Sequence, residues 1–302
     1  MKTTQLLNKD KQRHKNAKPT FVWLIILTSL ALVFLGANSI LAKAALVNNF
    51  IDAYSFTFFR IFSGVLTLLI LLFYKEKTIL ISKNKNWLSA FMLFFYAITF
   101  SYAYLSLDAG LGTLLLFGVV QLSMIVIALL KKEKITTQKT IGMLIAFAGL
   151  VYLLYPRESF ELSLLHSFLM ILAGIAWAVY TVLGKESTNA LLNTTDNFCK
   201  ALLFISIMYV FFMKDTHISS NGILLACISG SLTSAIGYTI WYYVLPQLQI
   251  VTASIIQLII PIIAIVFSII LLDEQLTFTL LLSTIIILGG IIITLKKPNK
   301  TD

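Results

Sequence analysis

The sequence predicts an all-α integral membrane protein of ten transmembrane helices, built as two inverted five-helix repeats. Three observations predict it. The chain of 302 residues is 59% hydrophobic and only 12% charged, which leaves too few polar side chains to cover a water-soluble surface. Its Lys and Arg residues cluster between apolar runs of roughly twenty residues, the length that crosses a ~30 Å hydrocarbon layer. Finally, the second half of the chain repeats landmarks of the first.

Residues 1–20 carry Lys2, Lys9, Lys11, Arg13, Lys15 and Lys18 among few apolar positions and read as a basic cytoplasmic tail. The first apolar run, Phe21 to Ala42, is too long for a signal-peptide core and is followed by more spans, so it reads as an uncleaved first helix. Further runs lie at about 53–74, 87–107, 110–130, 140–155, 164–184, 197–213, 222–245, 249–272 and 276–295, each bounded by charge, Asn, Gly or Pro. The third and fourth are parted only by Asp108 and Ala109, but together they are twice the length of one crossing. The fifth, which ends before Pro156, is the shortest.

The positive charges set the orientation. With the tail inside, nineteen Lys and Arg fall on that side and only Lys43, Arg157 and Lys214 on the other, with Arg60 left inside a span. Both termini are therefore expected in the cytoplasm, the chain being multi-pass in the inner (cytoplasmic) membrane. The net charge of +10 is explained by this topology, since no basic stripe or nucleic-acid module accompanies it. Cys199 and Cys227 lie in or beside apolar segments without ligand spacing and read as lipid-facing or packed thiols.

Shifting the chain by 141 residues lays Glu133 on Glu274, Thr136 on Thr277 and Gly149 on Gly290 without a gap, and a shift of 142 lays Lys43 on Lys185. Five helices are thus repeated, and because five is odd the second copy is inverted, a plan used by secondary transporters. The expected division is a tail at 1–20, repeats at 21–155 and 164–295, and a short C-terminal tail at 296–302.

With these landmarks in place, the chain resembles the drug/metabolite transporter superfamily, and within it the EamA-type ten-helix transporters. The resemblance rests on Pro261, the Leu-Leu-Asp-Glu-Gln-Leu-Thr turn at 271–277, Gly289 and Gly290, and on Ala176-Trp177-Ala178-Val179-Tyr180 followed by Lys185. The first half departs from the family pattern, with Leu35 where Trp is frequent and Val120 or Gln121 where Pro261 would map. The resemblance implies a transporter and favours export, without naming a cargo.

Inside the spans, polar groups are costly and mark candidate sites. The expected cavity set is Asn38, Arg60, Tyr96, Gln121, Trp177, Tyr180, Tyr238 and Gln257, with Pro261 as a hinge candidate because it frees a backbone carbonyl. Trp177 and Tyr180 lie three apart, as do Tyr238 and Trp241, so each pair shares a helix face. Tyr102, Tyr104, Trp241 and Tyr242 fit an interfacial belt equally well. Three roles are open for Arg60: contact with substrate or a gate, a pair with Asp52 or Asp108, or snorkelling to the interface. Lys200, four residues after Asp196, reads as a local ion pair.

No phosphate-binding GxxxxGK[ST] loop, no carboxylate deep in a span and no metal-ligand spacing is present. His14, His166 and His217 lie in the tail or near outer loops and are weak coupling candidates. The expectation is a secondary transporter, not an enzyme, needing no cofactor and no metal. Its cargo would be a small polar or amphipathic metabolite, resembling an amino acid or a nucleobase, with the lipid bilayer as its other partner, no nucleic acid, and a homodimer left open. A lipid or lipid-linked sugar flippase of the same fold is the alternative. A membrane enzyme on lipid-linked substrates is a more distant one, since no acid, base or metal cluster supports it.

Overall fold

The computed structural model describes residues 20–76, 87–107, 109–133, 135–155, 163–212, 216–272 and 278–295. The basic tail with His14, Asp108, and the 273–277 turn with Glu274 lie outside the described residues. Ten helical spans result: α1 (Phe21–Val47), α2 (Ala53–Glu76), α3 (Trp87–Ala103), α4 (Ala109–Leu130), α5 (Thr137–Leu154), α6 (Leu164–Gly184), α7 (Ala190–Phe212), α8 (Ser220–Gln247), α9 (Ile250–Leu272) and α10 (Phe278–Leu295). Within α8, Ser220–Ile228 is α-helical, Ser229–Ile236 is π-helical, Gly237–Val244 returns to α and Leu245–Gln247 ends in a 3-10 turn.

In a membrane every backbone group must find its partner inside the protein, which is why these apolar runs are helices. Their ends are capped by the short polar residues between them. Asp52 accepts the amide of Ser55 at 2.8 Å, Asn189 that of Leu192 at 3.1 Å and Ser219 that of Gly222 at 3.2 Å, each an N-cap contact. Asn49 (φ 51) turns the chain from α1 into α2, a left-handed conformation that Asn tolerates better than other side chains.

The boundaries moved in three places. Span α3 stops at Ala103, because the backbone from Ala103 to Leu107 turns within the bundle. Span α5 begins at Thr137, where Thr136 caps the amide of Lys139 at 3.4 Å. Span α7 begins at Ala190, so Asp196 and Lys200 stand within the helix, not at its entrance, and a buried carboxylate lies in a span where none was expected. One charge thus leaves the cytoplasmic count, and the asymmetry survives its loss.

The halves interlock. Helix α3 packs on α6 and α7 of the second half, and α8 packs on α1 and α2 of the first. Exchanging the halves maps one set of contacts on the other, as it does for α4 on α6 and α9 on α1. The pairs α2/α7, α4/α9 and α5/α10 join equivalent helices directly. The α5/α10 crossing is closest at two glycines: a Cβ on Gly142 would stand 2.6 Å from the carbonyl of Gly290, and one on Gly290 would stand 2.5 Å from the amide of Ala146. Small residues at such a crossing let helices touch through their backbones.

Large apolar side chains such as Phe73, Leu130, Leu164, Ile207, Ile285 and Ile292 remain exposed on the outside, as a lipid-facing surface requires. The bundle has two ends. The Asn49 end gathers the α1/α2 and α7/α8 turns, which hold each other through Asp52, whose amide donates to the carbonyl of His217 at 2.8 Å and whose carboxylate accepts the His217 amide at 2.9 Å. The Lys185 end gathers the α4/α5, α6/α7 and α8/α9 links.

Candidate functional site

Where the halves meet, α2 and α8 approach so closely that a side chain on Gly230 would meet the backbone carbonyl of Arg60. This contact coincides with the π-helical stretch of α8. A π-turn widens the helix by one residue, a device often found at functional sites, and here it turns Ser229, Thr233 and Ser234 toward the first half.

Arg60 is the centre of the layer and is 1% exposed. Its Nε donates to Ser234 Oγ at 3.0 Å, and its Nη2 donates to Tyr238 OH at 2.5 Å and to Tyr96 OH at 3.5 Å. The guanidinium carbon stands 5.4 Å from the Tyr96 ring centre and 5.2 Å from that of Phe100, a cation–π arrangement. Nη1 is buried with no hydrogen-bond partner.

Snorkelling and a pair with Asp52, both open to Arg60 from sequence, are corrected by this geometry. It does not snorkel, because the side chain turns inward between α3 and α8. It does not pair with Asp52, whose carboxylate is engaged by the amides of Ser55 and His217; Asp108 lies outside the described residues.

Asn38 joins the same network from α1. Its Oδ1 accepts Ser229 Oγ at 2.6 Å and Thr233 Oγ1 at 3.1 Å, and its Nδ2 reaches Tyr96 OH at 3.5 Å. Four of the residues singled out from sequence (Asn38, Arg60, Tyr96, Tyr238) thus form one cluster. Trp177 joins it through its ring, 4.9 Å from Tyr96 and 4.8 Å from Tyr238. Tyr180 lies 5.6 Å from Trp177 and 4.8 Å from Tyr242.

The Trp177 indole donates to Gln257 Oε1 at 2.8 Å, and Gln257 Nε2 reaches Met124 Sδ at 3.3 Å. Gln257 marks the interruption of α9: the α-helix stops at Ile256 and resumes at Ile259. Proline cannot donate to the carbonyl four residues earlier, which is that of Gln257; expected free, this carbonyl instead accepts the Ile260 amide at 3.0 Å. The hinge candidate therefore breaks the helix at the residue whose side chain enters the site. Gln121, one turn from Met124 on α4, is 1% exposed and neither of its amide atoms has a partner.

Three residues assigned equally to an interfacial belt are corrected. Tyr104 and Trp241 are fully buried and Tyr242 is 1% exposed, because α8 runs on to Gln247 between the halves; Tyr242 OH donates to the Tyr180 carbonyl at 2.8 Å. Tyr102 alone is partly exposed. Residues missed from sequence are Ser229, Thr233, Ser234 and Phe100. The Ser-Gly-Ser-Leu-Thr-Ser run at 229–234 was the available signal, a string of small hydroxyl residues inside a span.

Both ends of the layer are closed. At the Lys185 end, Glu133 accepts the Ile250 amide at 3.0 and 3.1 Å, Lys131 pairs with Glu186 at 2.9 Å, and Lys139 bonds to Gln249. The two lysines that matched in the repeat do matching work: Lys43 Nζ donates to the Leu107 carbonyl at 2.7 Å and Lys185 Nζ to that of Leu248. Each ties the end of its half's first helix to the link between the third and fourth. A separate cleft of about 380 Å³ opens near the Asn49 end, lined by Tyr54, Ser55, Phe58, Phe59, Ser206, Thr216 and Ile218, and none of the eight cavity candidates borders it. No group of three His, Cys, Asp or Glu positioned to hold a metal occurs among the described residues.

A multi-pass bundle of two opposed halves around a buried polar layer is the build of a membrane transporter. The sequence profile of the EamA-like transporter family matches the chain twice, over residues 22–155 and 164–296. The chain belongs to that family, within the drug/metabolite transporter superfamily. It is 39% identical to an uncharacterized protein of Pseudomonas aeruginosa, over 90% of this chain and 94% of that one. It is 24% identical to an uncharacterized transporter of Archaeoglobus fulgidus, over 91% of this chain and 98% of its relative, and 22% identical to the uncharacterized transporter YoaV of Bacillus subtilis, over 78% and 85%. A solved crystal structure shares the fold with a TM-score of 0.73 at 14% identity, covering 90% of this chain and 97% of its own.

Proposed function

We propose that this protein is a secondary transporter that exports a small polar or amphipathic metabolite, of amino-acid or nucleobase type, across the cytoplasmic membrane by alternating access. Both termini lie in the cytoplasm, so the Lys185 end faces inward and the Asn49 end outward, as the distribution of Lys and Arg favours. The cargo binds in the layer of Asn38, Arg60, Tyr96, Gln121, Trp177, Tyr180, Tyr238 and Gln257.

The observation that carries this reading is the sharing of Arg60 between halves: it stands on α2 of the first and is held by Ser234 and Tyr238 of the second. A rocking of one half against the other loosens or remakes those contacts, which couples the site to the opening of either end. The part-buried ties at the Lys185 end, those of Glu133 to Ile250 and of Lys185 to Leu248, form one gate and those at the Asn49 end the other. The break of α9 at Gln257, imposed by Pro261, supplies the hinge.

The test is transport by the purified chain in proteoliposomes, loaded with a broad metabolite panel. Efflux of at least one small polar or amphipathic compound above protein-free vesicles is expected. A folded preparation that moves none of them contradicts the reading.

A further inference from the structure

Among the described residues, two charged side chains that are less than a tenth exposed stand inside the bundle, Arg60 at 1% and Asp196 at 6%. Asp196 has its own counter-ion, Lys200, at 2.5 Å. Arg60 has none: the described salt bridges leave it out, and its contacts are the neutral hydroxyls of Ser234, Tyr96 and Tyr238. A guanidinium does not discharge at any ordinary pH, and a buried ion without a counter-ion is costly. The hydroxyl hydrogen bonds and cation–π contact with Tyr96 and Phe100 offset part of that cost. No anion offsets the rest.

Arg60 Nε and Nη2 are engaged and Nη1 is buried without a partner. Nη1 alone presents unengaged N–H donors, and an anionic oxygen is the acceptor that best satisfies a buried cation. Around it stand the faces of Tyr96, Phe100, Trp177 and Tyr238, which suit a flat or apolar body. The hydroxyl and amide groups of this layer carry no second positive charge.

We infer that the transported molecule is a small monocarboxylate whose carboxylate is the counter-ion of Arg60, received by Nη1 and flanked by the Tyr96 and Tyr238 hydroxyls. The inference rests on the proposed transport function and narrows its cargo. A single buried cation matches one negative charge, so a phosphonate titrated to its dianion leaves an excess charge in the layer and binds more weakly. A neutral amide leaves Nη1 without its anion.

The experiment titrates the purified full-length chain in nanodiscs with matched triads built on isobutyrate, phenylacetate and phenylalanine, each as carboxylate, amide and phosphonate. Tryptophan fluorescence and thermal unfolding are the readouts. The tightest ligand is expected to be a carboxylate, bound ten- to a hundredfold more tightly than its amide and more tightly than its phosphonate. Arg60→Gln brings carboxylate and amide within twofold of each other, whereas Arg60→Lys keeps part of the preference.

Equal binding of carboxylate and amide by the unmodified chain overturns the inference without reference to any variant. So does a carboxylate preference that survives in Arg60→Gln, or a preparation that binds none of the triads while transporting a neutral metabolite. In that last case the transport function stands and only the substrate class falls. A preparation that binds none of the triads and transports nothing fails both.

Discussion

Helices α2 and α7 occupy corresponding places in the two halves, and each carries one cation within the membrane layer. Lys200 on α7 is satisfied by its own helix: Asp196, one turn earlier, accepts its ammonium at 2.5 Å, and its charge stands 5.2 Å from the Trp87 ring. Arg60 on α2 has no such neighbour. Its own helix offers it no carboxylate one turn away, and its partners come from α3 and, across the boundary between halves, from α8. A cation paired within one helix moves with that helix and reports nothing to the other half. A cation held across the boundary changes its surroundings whenever the halves move. On the proposed function, the first arrangement serves folding and the second serves transport.

The largest expected effect follows from breaking the second arrangement. Arg60→Gln lowers transport per folded molecule about a hundredfold, roughly 2.8 kcal/mol at 1.4 kcal/mol per tenfold, while the amount of protein in the membrane changes little. Flux measured in proteoliposomes, normalised to correctly folded protein, checks it. Equal loss of flux and abundance would assign Arg60 to folding alone and erase the distinction from Lys200.

Lys200→Met behaves in the opposite sense. It leaves Asp196 buried and unpaired, which costs about 3 kcal/mol, so membrane abundance and thermal midpoint fall while transport per folded molecule is kept. The double change Asp196→Leu with Lys200→Met restores most of the loss, because replacing both members of a buried pair is close to neutral. A double variant as unstable as the single one would show that the pair does more than satisfy itself.

The fold was far more legible in the sequence than the site, and α8 shows why. Apolar lengths, the distribution of Lys and Arg, and the Glu133/Glu274 and Lys43/Lys185 matches are local or periodic, so they survive in one dimension. Arg60, Asn38, Gln121 and Gln257 were visible because an amide or a charge inside a span is conspicuous. Their pairings were not. Ser234 and Tyr238 lie 174 and 178 residues from Arg60, and Ser and Thr in a span are commonly satisfied by their own helix, as Thr233 also is through the Ser229 carbonyl at 2.9 Å. The π-helical widening that turns them inward leaves no composition signal. Trp241 and Tyr242 were assigned to a belt on their closeness to the helix end, an argument that holds only if that end faces lipid.

Gly289 and Gly290 sharpen the contrast between a residue at the boundary of the halves and one that is not. Gly290→Ala places a methyl 2.5 Å from the Ala146 amide and the Gly142 carbonyl, which forces α5 and α10 apart at a cost of about 1–3 kcal/mol. Gly289→Ala meets nothing within 4 Å and leaves stability unchanged. Thermal unfolding of the two variants in the same detergent compares them directly.

The smallest effect is expected for the most exposed cation. Lys131 and Glu186 pair at 2.9 Å with side chains 45% and 72% exposed, and such a pair contributes about 0–1 kcal/mol. Lys131→Ala changes stability by less than about 0.5 kcal/mol and leaves flux intact, measured in the same assays as the two buried cations. The three cations then rank by what surrounds them, with number of contacts a poor guide.

The central claim is that the Arg60 layer opens to each side of the membrane in turn, and Ser234, fully buried beside Arg60 in this closed form, is the place to test it. With Cys199 and Cys227 replaced by Ser, Ser234→Cys in sealed vesicles of known orientation is exposed to a membrane-impermeant maleimide from one side, then from the other. Labelling from both sides, slowed from both by a transported carboxylate, is the predicted result. Labelling from one side only, or from neither while transport continues, contradicts it.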